Sequence, residues 1–416
     1  MASREPTSND VEHDSVVRRY VELGLRLGRH VDGFVDAYYG PPEWRARIDT
    51  EPPAPPESLR ADARRLVADL DAGVDPDVAG QRRRWLRAQV LGLLTSARTL
   101  AGEPIDYVDE VEASYGVRPT RVDEEEIERV HRRLDESLAG DGAVRDRIAA
   151  FREAHVIPVD RLRPVIDDIA EDFRDRTRER FGLPEGEHVE FELVEGQPWS
   201  GFNYYLGGLR SRVAINTDLP VISTSIGHLV AHEAYPGHHT EHTRKEVGLV
   251  RRAGQLEESI FLVGTPQCVV AEGLADLGIE VLLGDSRDRV MSEHLRAHHV
   301  TYDIEAVQAV AEFGEMSSRV RGNLGLLLHE DDEEPEAVVE YAQRWLLTDR
   351  ARAEKAVEFQ TDPTWRAYIS CYIEGITLCR GFVAGDDDRY DRLLTEQLLP
   401  EDLSAGPGGA PSPVPA

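Results

Sequence analysis

The sequence predicts a mainly α-helical protein with one small antiparallel β-sheet set just ahead of a histidine-rich helix. Three observations predict this. Apolar residues recur at helical spacing over most of the 416 residues. Strand-like alternation is confined to about 188–216. With 41% hydrophobic residues the chain can bury a large core.

Residues 1–11 read as a frayed tail. From Ser15 to about Tyr38, Val16, Val17, Tyr20, Val21, Leu23, Leu27 and Val31 keep helical spacing until Gly40-Pro41-Pro42 stops the run. Pro52–Pro56 is a linker, and amphipathic helices follow at about 57–72, 77–101 and 123–139. Asp123-Glu124-Glu125-Glu126 opens the last of these, placing acids at its positive end. Leu162–Phe181 is a further helix. This N-terminal region, 1–184, presents no chemical motif: His13, His30, His131 and His155 stand singly, and Arg82-Arg83-Arg84 reads as a solvated face.

A second region, 185–400, continues from it as one domain. His188–Val194, Phe202–Leu206 and Arg212–Asn216 read as strands, with Gly207-Gly208 turning between the last two. Thr224–His232 is a helix with Ile226, Leu229 and Val230 on its buried side, and Pro266–Leu283 is another. Helices at about 287–316, 335–347, 350–359 and 364–384 complete the region, and 401–416 reads as a disordered Gly/Pro/Ser-rich tail.

Of the 14 histidines, His228, His232, His238, His239 and His242 crowd into one short stretch, with Glu233 beside the second. In H-E-x-x-H, two histidines one helical turn apart hold a metal while the glutamate serves as general base. Here the His-Glu pair is present, but His238 lies six residues after His232. On an unbroken helix that is about 9 Å along the axis and roughly 240° round, too far for one ion. Pro236 has no N–H for the His232 carbonyl and Gly237 tolerates almost any backbone, so the helix is expected to widen or break at Tyr235-Pro236-Gly237 and return His238 to the face of His232. His239 competes for the second position, and His228, four residues before His232, offers a rival pair. A third ligand is expected from an acid on another helix. Glu272 sits among Val269, Val270, Gly273, Leu274 and Ala275, and a buried carboxylate needs a partner such as Zn²⁺. Glu257 and Glu258 are the other acids in range, and Asp276, one turn after Glu272, suits the task of holding a ligand histidine. Glu241 and His242 read as solvated, as do His294, His298 and His299.

His232-Glu233-Ala234, Pro236-Gly237-His238-His239 and then Glu272-Gly273-Leu274-Ala275 match a pattern that resembles the bacterial domain-of-unknown-function family 885. That family is similar to carboxypeptidase Taq and other gluzincin metallopeptidases. Leu274 departs from the tryptophan more usual there. The resemblance implies a gluzincin-like fold, one Zn²⁺ on His232, His238 and Glu272, and Glu233 as base. It also implies that the sheet edge Gly201–Tyr205, with Asn203 and Tyr204, borders a cleft for an extended substrate, and that Tyr372 steadies an oxyanion. Arg319 and Arg321 are candidates to clamp a substrate carboxylate.

Lys+Arg 48 against Asp+Glu 78 gives a net charge of −30, which disfavours nucleic acid and anionic membrane. No signal peptide and no apolar run of about 20 residues is seen, and Cys268, Cys371 and Cys379 are too few for a disulfide framework. A cytoplasmic zinc metallopeptidase acting on a peptide or small-molecule substrate is therefore expected. A metal-dependent esterase or amidase, or an inactive peptide-binding scaffold, stays open beside it.

Overall fold

The computed structural model describes residues 15–197, 199–362 and 365–404. The expected N-terminal tail, His13, and the stretch beyond Ser404 lie outside the described residues. The N-terminal part comprises α1 (Val16–Leu27), β1 (Val35–Tyr38), α2 (Pro42–Thr50), α3 (Pro56–Ala72), α4 (Gly80–Leu100), α5 (Tyr107–Tyr115), α6 (Glu124–Ser137), α7 (Val144–Ala154) and α8 (Val159–Phe181). Strands β2 (His188–Val194), β3 (Gly201–Gly207) and β4 (Arg210–Asn216) come next, then α9 (Ser223–Glu233), α10 (His238–Lys245) and β5 (Ile260–Leu262). The rest is helical: α11 (Gln267–Leu283), α12 (Arg287–Ala297), α13 (Ile304–His329), α14 (Pro335–Trp345), α15 (Arg350–Thr361), α16 (Ile369–Val383), α17 (Asp387–Thr395) and α18 (Pro400–Ser404). The protein is mainly α with a small sheet beside the histidine-rich helix, as expected, and among the described residues no helix is long and apolar enough to cross a membrane.

Three local expectations need correction. The single helix from Ser15 to Tyr38 ends at Leu27, and Val35–Tyr38 is a strand because it finds an antiparallel partner in Ile260–Leu262. The helix at 287–316 is two helices, interrupted where His299 takes a φ of 55°. The sheet is mixed, not wholly antiparallel. Strands β3 and β4 form the expected hairpin, turning through Gly208 and Leu209 at positive φ, but β4 inserts between β2 and β3. Two chain reversals thus leave β2 parallel to β4.

Helix α11 is apolar on nearly every face, and fourteen of its residues, Glu272 among them, are buried. Its glycine crossing with α16 sets their separation: a Cβ on Gly273 would lie 2.3 Å from the Gly375 carbonyl oxygen, and one on Gly375 would lie 2.4 Å from that of Val269. Helix α9 buries Ile226, Val230 and Ala231 in the core formed with α8, the sheet and α12. The chemistry-bearing residues therefore project from packed helices, not from loops.

Candidate metal centre

Helix α9 ends at Glu233, and Ala234 leaves helical geometry at φ −122°, ψ −83°. The Tyr235 N–H reaches back to the Val230 carbonyl at 3.3 Å and that of Gly237 to Ala231 at 2.9 Å, while the Tyr235–Pro236 peptide is cis. Helix α10 restarts at His238. The expected disruption at Tyr235-Pro236-Gly237 is thus a complete break, with two widened hydrogen bonds on the way out. Glycine is required here for closeness, since a Cβ on Gly237 would stand 2.0 Å from the His232 carbonyl oxygen.

The break turns two imidazoles face to face. His232 Nε2 and His238 Nε2 lie 3.1 Å apart, and Glu272 Oε2 is 3.2 Å from the first and 3.7 Å from the second. Donor atoms about 2.0–2.1 Å from one tetrahedral cation stand about 3.3 Å from one another, so the three atoms fit a Zn²⁺-sized ion. Protonation agrees with the spacing. His232 Nδ1 is 2.8 Å from Asp276 Oδ1, which assigns its proton to that side and leaves Nε2 a free lone pair in the neutral ring. The Tyr368 hydroxyl donates to Glu272 Oε1 at 2.5 Å, whereas the buried Oε2 receives no hydrogen bond among the described residues. Burial works against charge on both histidines and on Glu272, but the mutual attraction is larger: the histidines titrate above the ordinary range and Glu272 is pulled down to about 2. Burial also opposes charge on Asp276, yet His228 and His232 lower its pKa.

Glu233 is buried beside this cluster, with Oε1 3.2 Å from where a Gly201 Cβ would be, and its main-chain carbonyl accepts from Asn203 Nδ2 at 2.6 Å. Burial is the main influence raising its pKa. Tyr372 stacks near His232 at 6.3 Å between ring centroids, and burial first, then Glu272 and Glu233, keep its phenol protonated.

The other sequence-derived candidates fall in different places. His228 Nε2 lies 3.3 Å from Asp276 Oδ1, so His228, His232 and Asp276 form a second donor group that shares His232. His239 turns to Ser211 at 2.8 Å and to Glu187 at 3.1 Å, spending both ring nitrogens away from the cluster. Tyr204 is capped by the Arg212 guanidinium, 4.5 Å from its ring centroid. Arg319 bonds Glu126 at 2.6 Å, and Arg321 has no carboxylate partner among the described residues. Glu257 pairs with Arg82, while Glu241 and His242 are buried, the first against Lys245 and the second stacked on Tyr205. His294 and His298, expected in solvent, bond Asp168, and His294 also bonds Asp172. Sequence reasoning missed two residues at the centre. Tyr368, one turn before Tyr372 on the same face, was open to detection by that spacing. Asp36, in a region without chemical motifs, had no local signal.

The fold and site define a helical protein with a histidine-carboxylate donor set. No family model matches the sequence, and no curated protein matches it. Among solved structures, a candidate lipoprotein from Colwellia psychrerythraea is similar with a TM-score of 0.51 and 15% identity, over 83% of this chain and 65% of that one. The chain thus spans about two thirds of that neighbour's length. A candidate lipoprotein of unknown function from Shewanella oneidensis gives 0.44 at 12% identity, covering 84% and 71%. The M32 carboxypeptidase from Deinococcus radiodurans R1 gives 0.41 at 12% identity, covering 96% of both chains. At 15% identity the likeness to the Colwellia psychrerythraea protein is one of fold.

Proposed function

We propose that the chain is a metal-dependent hydrolase and, within that class, a zinc metallopeptidase. One observation carries the reading: His232 Nε2, His238 Nε2 and Glu272 Oε2, undonated among the described residues, converge beside the buried Glu233. The resemblance of residues 232–239 and 272–275 to the gluzincin-like pattern supports it.

His232, His238 and Glu272 would hold a divalent cation, which would supply Lewis-acid polarisation of a carbonyl and acidify a water. Asp276 holds the proton of His232 at Nδ1, fixing the ring. Glu233 takes the proton of the attacking water on its carboxylate and returns it to the leaving nitrogen; its raised pKa suits both transfers. Asn203 restrains that residue by gripping its main-chain carbonyl. Tyr372 donates its phenolic hydrogen to the developing oxyanion. Strand β3 pairs with β4 along one edge and with no described strand along the other, so an extended peptide can add there. Arg321 is the residue we assign to a substrate carboxylate.

Glu233→Gln tests the reading. It is expected to keep one zinc per chain by elemental analysis and to lose about 10²–10⁴ in kcat on any peptide the parent cleaves. Full activity in this variant, or a parent that takes up no zinc, overturns the proposal.

A further inference from the structure

Strand β1 contains a bulge. Val35 pairs with Leu262 and Ala37 with Phe261, so two steps on β1 answer one on β5, and Asp36 is the extra residue. A bulge re-aims the side chain it releases, and the charges of His238, Glu272 and Glu233 act on Asp36. Its Oδ1 is buried and receives no hydrogen bond, and no cation pairs with the carboxylate among the described residues. Asp36 is not a further ligand of the centre, because among the described residues it belongs to neither donor group, His232, His238 and Glu272 or His228, His232 and Asp276, whose atoms lie within 4.8 Å of one another. It is a carboxylate at the edge of the site without a partner of its own.

Such a group is costly to leave charged and unpaired. Burial, relieved in part by His238 and reinforced by Glu272 and Glu233, raises its pKa to about 7. A positively charged nitrogen arriving with the substrate removes that cost, and an acidic group in the same place adds to it. The surroundings favour the cation as well: Asp36, Glu233, Glu272 and Asp276 put four carboxyl groups about one divalent site, in a chain of net charge −30.

We propose that Asp36 determines specificity, accepting hydrogen bonds from an ammonium or guanidinium group of the substrate next to the bond that is cut. This rests on the hydrolase reading for the words "substrate" and "cut", but the recognition itself is testable without turnover. Three short peptides of one backbone serve as probes: one with a free α-amine and no basic side chain, one N-acetylated and neutral, and one N-acetylated with a lysine. Their dissociation constants are measured by calorimetry on zinc-loaded Glu233→Gln protein, with and without Asp36→Asn. A cationic probe is expected to bind the Glu233→Gln protein more tightly than the neutral one and to weaken about 10- to 100-fold on Asp36→Asn, with the neutral probe changing less than about 3-fold. Whichever cationic probe shows the loss names the source of the charge, amino terminus or side chain. Thermal unfolding checks the fold, and Asp36→Glu, which keeps the charge, retains the preference. Equal losses for all three probes, a neutral probe bound as tightly as the cationic ones, or no binding of any probe overturns the proposal. A parent that cleaves no peptide, yet binds cationic probes through Asp36, refutes the hydrolase reading and leaves this one standing.

Discussion

Gly237→Ala is the sharpest test of how the centre is built. The new methyl would lie 2.0 Å from the carbonyl oxygen of His232 and 2.5 Å from that of Ala231, both main-chain atoms of α9. A carbon-oxygen contact relaxes only beyond about 3.2 Å, so the segment between the helices must shift by roughly 1.2 Å. No flexible side chain is there to absorb the move. Overpacking of this kind costs about 1–3 kcal/mol, which a chain with this much buried core survives. The donor set does not tolerate the shift, because ligand distances hold to about 0.2 Å and His238 is the next residue after the added methyl. Zinc affinity is therefore expected to fall at least about tenfold while the protein stays folded, the result of moving one ligand off its position. Competition against a chromophoric chelator reads the affinity, and thermal unfolding of the metal-free protein reads the fold. Parent-like affinity in Gly237→Ala would show that the close approach at Gly237 does not position His238.

Two further outcomes follow from the residues around the cluster. Asp276→Ala removes the acceptor that holds His232 Nδ1, so zinc affinity of the folded protein is expected to drop about 10- to 100-fold; undiminished affinity would refute the anchoring role. Glu187 is pulled from 4.5 to about 2 although burial pushes the other way, because His239, Tyr235 and Arg174 bond its carboxylate. A depressed carboxylate stabilises the fold above its unfolded pKa and loses that contribution as pH falls through the folded one. The advantage of the parent over Glu187→Gln, roughly 3 kcal/mol from the size of the shift, is thus expected at neutral pH and to disappear between about pH 4.5 and 2. Urea midpoints that keep a constant gap across that window would contradict it.

How much of this could be read beforehand depends on how far apart the partners lie in the chain. His232, Glu233 and His238 were legible because their relation is local: a proline and a glycine between them dictate where the helix must fail. Glu272 was legible because an acid in the apolar surroundings of 269–275 has to be buried, and a buried acid needs a partner. The strand β1 was not, because Val31 and Val35 are four apart and satisfy a helical period as well as a strand. Only the distant partner Ile260–Leu262 decides between the two. The position of Asp36 depends on that same pairing, and on a bulge within it. The grip of Tyr368 on Glu272 depends on the crossing of two helices at Gly273 and Gly375, which neither helix announces alone. The strand order, with β4 between β2 and β3, likewise has no local cause.

The donors are held together by packing that owes nothing to an ion. His232 and His238 end and begin helices anchored at Ile226, Val230 and Thr243, and Glu272 rides a helix buried on almost every side. The fold could relieve the undonated Glu272 oxygen and the facing imidazoles by a small rearrangement if nothing opposed it. The glycine contacts at Gly237 and Gly273 oppose it, since main-chain atoms there leave no room in which to relax. The cost of burying this ionisable cluster, with one Glu272 oxygen left undonated among the described residues, is thus borne by the core and concentrated at one point, where a cation between the three atoms would be received. A centre arranged this way gives the ion little part in folding, in contrast to small zinc domains that are unfolded without metal. Under the proposed function, that arrangement leaves Glu233 to the proton transfer and Asp36 to the substrate.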